Sequence, residues 1–487
     1  MRLQRAFCAT ILRFSSGLRR RFSMWMIPQL PDPQGVVLWF GSFGSVVPPA
    51  TVEVQIDGHG AEQVALDWSQ LMPGETPVVW VARARLGGLV ANTRYVLRLR
   101  PTPESRSEAP VVLRTLPAGL PGPREDPFVL LLGSCFDRRG RAASAVGNLP
   151  RLLSGQRLPH LKLLCGDQIY LDLPVFSVIP RQPAETYRYV LGKYLRNWAP
   201  GGSLGRGGAS LANGFGDLLR HGANLFLSDD HEFWNNYPFA ASQVSFSYTS
   251  AGRRRLADLG SAFVRGFQGQ SGRGEGLRTL KEIQIGVAGE PGSLVILSLD
   301  GRLCRTRELC HWPADLGALC TRIRGLRSPA IIVLSQPLFE PSQSRFRRKW
   351  VDSGIADFKD YDRLAAAIAA APHDILILSG DIHNGRISEC RLSRGRRIYE
   401  VIASPISLIS GTRYGDAEAH DAFPSRPLRG AAKVTSRAVQ SIFGPLQRDH
   451  VAILEIHAKD RRVEVEVAFW SVGDHQLFDR ARSLSLT

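Results

Sequence analysis

The stretch ANLFLSDDHEFWNNYP, residues 223–238, passes from a buried-strand pattern into a charged turn within a few residues. Leu225, Phe226 and Leu227 read as the end of a strand, and Asp229, Asp230, His231 and Glu232 follow at once. Carboxylates this close repel one another, and withdrawing each from water costs on the order of several kcal/mol. A chain that places them where a buried strand ends needs a counter-charge there. Carboxylates can converge when cations lie between them, because a metal's charge inverts the local electrostatics.

Other apolar runs end in the same way. FVLLLGSCFD closes on Cys135 and Asp137, LKLLCGDQIYLD on Asp167, Tyr170 and Asp172, LVILSLDGR on Asp300, and DILILSGDIHNG on Asp381 and His383. Between these runs lie helical patterns. In ETYRYVLGKYLRNW, Tyr187, Val190, Leu191, Tyr194, Leu195 and Trp198 share one face, and YDRLAAAIAAA at 361–371 is a second example. Strands buried on both faces and alternating with helices predict an α/β layered domain. In such sheets, sites form at the carboxyl ends of the strands. One Gly-Asp after a strand is ordinarily a turn. Five such endings, rich in Asp and His, predict a composite metal site. Mixed Asp, His, Cys and Tyr ligands suit iron, manganese or zinc, with calcium as a harder, oxygen-liganded neighbour. Two metals roughly 3.5–4 Å apart would clamp a phosphate and make hydroxide from water near neutral pH.

The chain before residue 120 reads differently. VVLWF, TVEVQI, VVWVARARL, TRYVLRLR and VVLRTL are short strand-like runs separated by turn signals, which predict a small β-sandwich over 31–118. Tyr95, after GLVANT, matches the corner tyrosine of fibronectin-type sandwiches, which bonds back to the preceding turn. LPAGLPGPREDP (116–127) reads as a linker, so the second part is placed at 125–487. Residues 1–30 are expected to be a basic, disordered arm, with Met24 or Met26 as an alternative start. RRRF at 19–22 is similar to a degenerate twin-arginine export signal, but the proline-broken SMWMIPQLPDP after it is too short for a signal core. A cytoplasmic location is the expectation, and export the alternative.

The 487 residues carry a formal charge of +17, with 61 Lys+Arg against 44 Asp+Glu, which favours anionic or phosphorylated partners. No basic motif interleaved with aromatics accompanies the excess, so nucleic acid is the less expected partner. Seven cysteines without framework spacing point away from a disulfide scaffold. No apolar run approaches the ~20 residues of a membrane-spanning helix. Cys304, Cys310, His311 and Cys320 could hold a structural zinc only with a spacing foreign to ribbons and fingers.

Taken in order, GSCFD, GDQIYLD, SDDHEFWNN, LDGR, LSGDIHNG and EVIASPIS resemble the alkaline phosphatase D (PhoD-like) metallophosphatases, within the calcineurin-like metallophosphoesterases. The resemblance covers residues ~125–470. It implies a four-layer α-β-β-α sandwich behind a small fibronectin- or Ig-like module, and an enzyme that hydrolyses phosphate monoesters, diesters or both. It further implies two ions, Fe3+ with Ca2+, or Mn2+ or Zn2+ in their place. Cys135 and Tyr170 would ligate the ferric ion, Asp167 would bridge, Asp230 would bind the second metal, and Asp381 and His383 would complete the two shells. His231 would be the non-ligating histidine that protonates the leaving oxygen. Asn235 would touch phosphate or the second metal, and Asp300 and Arg302 would support the ligands or contact phosphate. Two departures from the family pattern, Phe136 and Gly301, are expected to reshape the pocket wall. The rival readings are a phosphodiesterase acting on nucleic acid or phospholipid, and a non-catalytic protein that binds metal or phosphate.

Overall fold

The computed structural model describes residues 23–100, 109–152, 158–173, 179–198, 214–241, 244–269, 279–343, 353–408, 418–429, 434–479 and 481–487. The RRRF motif and the basic segment 1–22 lie outside the described residues.

The N-terminal part supplies β1 (Ser23–Asp32), β2 (Gly35–Phe43), β3 (Thr51–Ile56), β4 (Gly60–Ala65), β5 (Ser69–Gln70), β6 (Val79–Leu86), β7 (Arg94–Leu99) and β8 (Val111–Arg114). The next segment gives β9 (Phe128–Gly133), β10 (Leu161–Cys165) and β11 (Ala223–Leu227), with helices α1 (Pro183–Trp198) and α2 (Ser250–Phe263). Then come β12 (Leu280–Ile285), β13 (Leu294–Leu299), α3 (Pro313–Arg324), β14 (Ala330–Leu334), α4 (Tyr361–Ala369) and β15 (Ile375–Ser379). The C-terminal part adds β16 (Gly385–Arg391), β17 (Arg397–Ile402), β18 (Ala422–Phe423), β19 (Arg437–Leu446), β20 (His450–Lys459), β21 (Arg462–Ser471) and β22 (Arg482–Leu486).

These strands form three sheets. The first has the order β22-β21-β20-β9-β10-β11-β1-β2-β6-β5, the second β12-β13-β14-β15-β17-β16-β19-β18, and the third β4-β3-β7-β8. Strands β9, β10 and β11 are parallel and in register, so that Leu164 lies opposite both Gly133 and Phe226. Their carboxyl ends therefore fall on one line. In the second sheet β13, β14 and β15 are parallel as well.

Side chains alternate across a strand, so an unbroken apolar run must be covered on both faces. Leu130, Leu163 and Leu225 of the first sheet share one core with Ile296, Ile331 and Leu376 of the second. On the opposite face of the first sheet, Val129, Leu131, Leu164 and Phe226 meet the helical residues Tyr187, Val190, Leu191, Tyr194, Leu195 and Trp198. On the opposite face of the second sheet, Leu297, Ile332 and Ile377 meet Leu316, Leu319 and Ile323 of α3 and Leu364 and Ile368 of α4.

The N-terminal part differs from its sequence reading. Val52, Val54 and Val64 of the third sheet do pack on Leu38, Phe40 and Ala82, and the Tyr95 hydroxyl accepts the Val90 N–H at 2.8 Å, as a corner tyrosine should. The sheet they face, however, is the end of the first sheet, which joins strands from both sides of residue 120. Residues 23–30, expected in a disordered arm, form most of β1. Met24, Trp25, Met26 and Ile27 are all buried, and an apolar stretch of this kind gains by joining a sheet. The prolines that disguised it sit where pairing is thin. The register with β2 shifts between Gln29 and Pro31, and the single pairing with β11 is Gln29 with Asn224.

His160 fastens the two parts together. Its Nδ1 accepts the Val129 N–H at 3.0 Å, and its Nε2 lies 2.9 Å from Asn92 Oδ1 in the N-terminal part. Burial, helped by the Arg114 charge, pushes its pKa down to about 3. A folded-state pKa below the ordinary 6.5 means that the unfolded chain takes up the proton first. The stabilising contribution is then complete above pH 6.5 and is lost as pH falls toward about 3. Urea unfolding of a His160→Gln variant should show a shallower loss of stability on acidification through this window. The difference in slope should approach about 1.4 kcal/mol per pH unit.

Candidate metal centre

The endings of β9, β10, β11 and β15 meet at one place. Cys135, Asp167 and His383 bring potential ligand atoms within 4.8 Å of one another, as do Asp167, Asp230 and His231, and as do Asp167, Asp229, Asp230 and Asp381. Asp167 belongs to all three groups. The Cys135 sulfur is 3.4 Å from Asp167 Oδ2, and the Tyr170 hydroxyl is 3.3 Å from His383 Nε2. The donor set suits a cation. It joins thiol, imidazole, phenol and carboxylate on one side and carboxylates on the other, drawn from the ends of four strands.

Local backbone geometry aims these groups. Cys135, Asp167, Asp381 and His383 all have left-handed φ, at 57°, 55°, 72° and 53°. Each such non-glycine residue costs about 1–3 kcal/mol, a strain that concentrates at functional sites. Gly166, at φ 86°, lets the β10 turn press against the β11 turn, since a Cβ there would collide with Asp229.

Electrostatics at the site are those of crowded, buried acids. Burial raises the Asp167 pKa well above the usual carboxylate range, and the Cys135 and Asp230 charges add to it. Burial also pushes the Cys135 thiol up to about 12. A bound cation reverses both effects, because it favours thiolate and carboxylate. For His231, burial pulls the pKa down, but Asp172, Asp230 and Asp167 outweigh it and hold the imidazole well above its ordinary value.

Comparison with solved structures then becomes informative. A structure of PhoD superimposes with a TM-score of 0.58, at 13% identity, over 94% of this chain and 89% of that one. The fold is the one PhoD has. The purple acid phosphatase PPD1 from yellow lupin (Lupinus luteus) seeds matches with a TM-score of 0.53, at 10% identity, over 95% of this chain and 74% of that one. No family model and no curated protein matches the sequence.

Within this PhoD-like fold, the remaining site residues take distinct places. His231 stands with its ring 4.3 Å from that of Tyr170, and its Nδ1 is 2.7 Å from Asp172 Oδ1. Asn235 reaches the site through its backbone, whose N–H donates to Asp172 Oδ2 at 2.7 Å. Asp300 is occupied by the Ser228 N–H and hydroxyl and the Arg302 and Leu303 N–H groups, so it ties the end of β13 to that of β11. Arg302 is fully buried. It pairs with Asp229, lies 3.9 Å from Asp230 and donates to the Tyr237 carbonyl, which puts it behind the carboxylates. Phe136 does not shape a pocket wall as expected; it is buried, stacked on Phe215 at 4.3 Å, because a benzyl group gains more from the core. Gly301 faces Arg305, Cys310 and His311. Those two and Cys304 and Cys320 form no metal-holding group among the described residues: Cys310 accepts from Arg305, and His311 pairs with Asp360 at 3.0 Å.

Three supporting groups escape a sequence reading. Asp172 was visible as a strand-end acid, but nothing in its spacing linked it to His231. Gln336 donates to Asp381 Oδ2 at 3.0 Å from after β14, a strand with no charged ending. Glu232 accepts the N–H groups of Asp167, Gln168 and Asp229 at 3.0, 2.7 and 2.9 Å, and Gln268 Nε2 at 3.1 Å. Burial raises its pKa to about 7 against the pull of these donors. Each buried donor left without a partner costs about 1–3 kcal/mol. Glu232→Ala should therefore destabilise the protein by about 3 kcal/mol or more in denaturant unfolding, and Glu232→Gln by less.

Proposed function

We propose that the protein is a metal-dependent hydrolase of phosphate esters with a dinuclear centre. The observation that carries this reading is that Asp167 is common to three groups of potential ligands gathered at strand ends. The likeness in fold to PhoD and to a purple acid phosphatase supports it. In this reading the two facing sheets and their outer helices are the four layers of a metallophosphoesterase, and the third sheet completes an Ig- or fibronectin-like module at its edge.

Cys135, Asp167, Tyr170 and His383 would hold one ion, and thiolate, phenolate and imidazole together favour Fe3+. Asp167, Asp230 and Asp381 would hold the other, where carboxylate oxygens favour Ca2+, with Mn2+ or Zn2+ as alternatives. Bound there, the ions would supply Lewis acidity and a nucleophile derived from water at neutral pH. The chain itself supplies the proton. Asp172 accepts from His231 Nδ1 and fixes the ring, so that Nε2 is the atom that delivers a proton to the leaving oxygen. Asp172 continues to favour the protonated imidazole when cations neutralise Asp167 and Asp230. No seryl or cysteinyl phosphoenzyme is required.

Elemental analysis of the purified protein should find close to two metal ions per chain. Asp167→Asn should remove metal and abolish hydrolysis of p-nitrophenyl phosphate and of its bis-ester, and the ratio of the two rates assigns monoester or diester preference. His231→Asn should retain metal but lower turnover by about 10²–10⁴-fold. Protein without stoichiometric metal, with activity indifferent to Asp167→Asn, would leave only the binding reading.

A further inference from the structure

One buried cation two hydrogen bonds from the centre has no part in the chemistry above. Arg305, in the turn after β13, is 3% exposed. Its guanidinium donates to the Gly301 carbonyl at 2.8 Å, the Ser353 carbonyl at 3.3 Å, Cys310 Sγ at 2.9 Å and Gln336 Oε1 at 2.7 Å. It also lies over the Phe358 ring, 4.8 Å from its centroid. Among the described residues no carboxylate pairs with it. Burying a guanidinium without a counter-charge is costly, and a neutral side chain would fill the same space without that cost. A charge kept on those terms points to a use beyond packing.

Gln336 carries that charge toward the centre. Its Oε1 accepts from Arg305, and its Nε2 donates to Asp381 Oδ2 at 3.0 Å. Arg305, Gln336 and Asp381 follow β13, β14 and β15, which are parallel neighbours in the second sheet. The relay therefore runs across three adjacent carboxyl ends. An amide presents its oxygen on one side and its N–H groups on the other, whereas an arginine only donates. Arg305 thus decides which way the Gln336 amide faces. With the oxygen held by the guanidinium, an N–H meets Asp381; with the amide reversed, an oxygen would confront the carboxylate. A cation behind the amide also polarises it into a stronger donor. Gln336 is 1% exposed, so bulk water does not reach in to replace either partner.

We propose that Arg305 is a positioning residue of the metal centre, acting through Gln336 to hold the Asp381 carboxylate in its place there. This rests on the reading of Asp381 as a metal ligand but not on the hydrolysis of phosphate esters. The test titrates Mn2+ calorimetrically into chelator-stripped protein as wild type, Arg305→Met, Gln336→Met and the double variant. Each single substitution should weaken Mn2+ binding about 10- to 100-fold, as loss of a group that supports a metal ligand does. The double variant should bind within about threefold of Gln336→Met, because the effect of Arg305 passes through the amide. Losses that multiply in the double variant overturn the proposal. So does an Arg305→Met protein that unfolds at lower denaturant but binds Mn2+ like wild type, since that is packing alone, and so does a wild type that takes up no Mn2+. If Arg305→Met does not fold, Arg305→Lys, which keeps the charge and loses the fork, replaces it in the same cycle. Hydrolysis of p-nitrophenyl phosphate is followed separately. Coupled Mn2+ binding without hydrolysis would sink the phosphoesterase reading and leave the role of Arg305 standing. Hydrolysis by wild type without the coupling would do the reverse.

Discussion

A single buried carboxylate holds the centre in shape. Glu232 takes the backbone N–H groups of Asp167 and Gln168 from one turn and of Asp229 from the next, with Gln268 closing the set. The turns after β10 and β11 cannot separate without stranding donors away from water. Around this clasp the side chains of Asp167 and Asp230 are held close together, although their charges oppose it. The repulsion is tolerable because the backbone has been fixed by other bonds first, and a cation turns it into attraction.

The same logic of fixing from behind recurs around the site. Arg302 engages Asp229 and the Tyr237 carbonyl, Asp300 is saturated by donors from Ser228 and its own turn, and Gln336 steadies Asp381. The groups that would meet a metal are thus positioned by partners that face the interior. Left-handed backbone at Asp167, Asp381 and His383 is sustained in this way by Glu232, Gln336 and the Ser404 hydroxyl. It is rigid scaffolding that pre-sets a site before any ion arrives.

Much of this was legible in the sequence, and for a physical reason. Parallel strands buried on both faces give unbroken apolar runs, and a charged residue directly after such a run has few places to be except a sheet's carboxyl edge. That reading places Cys135, Asp167, Asp230, Asp381 and His383 together from the sequence alone. Tyr95 was equally readable, since its corner is a local motif. What stayed hidden depends on contacts distant in sequence. Glu232 looks like one more acid in DDHE, and only the register of β10 against β11 makes it an acceptor. Asp172 needs the ring of His231 brought to it. Strand β1 was missed because Pro28 and Pro31 are rare inside sheets, and the irregular pairing that admits them carries no local signal.

The strand hidden in SMWMIPQLPD changes what kind of object the molecule is. Because β1 is inserted between β11, which leads into Asp230, and β2 of the N-terminal part, the two halves are not beads on a string. A chimera cut at the proline-rich stretch near residue 120 would leave an open edge beside the strand that carries the acidic turn. Exchange of the front module by recombination is therefore handicapped. The front module and the strand-end centre share one sheet, and the two should show a common unfolding transition.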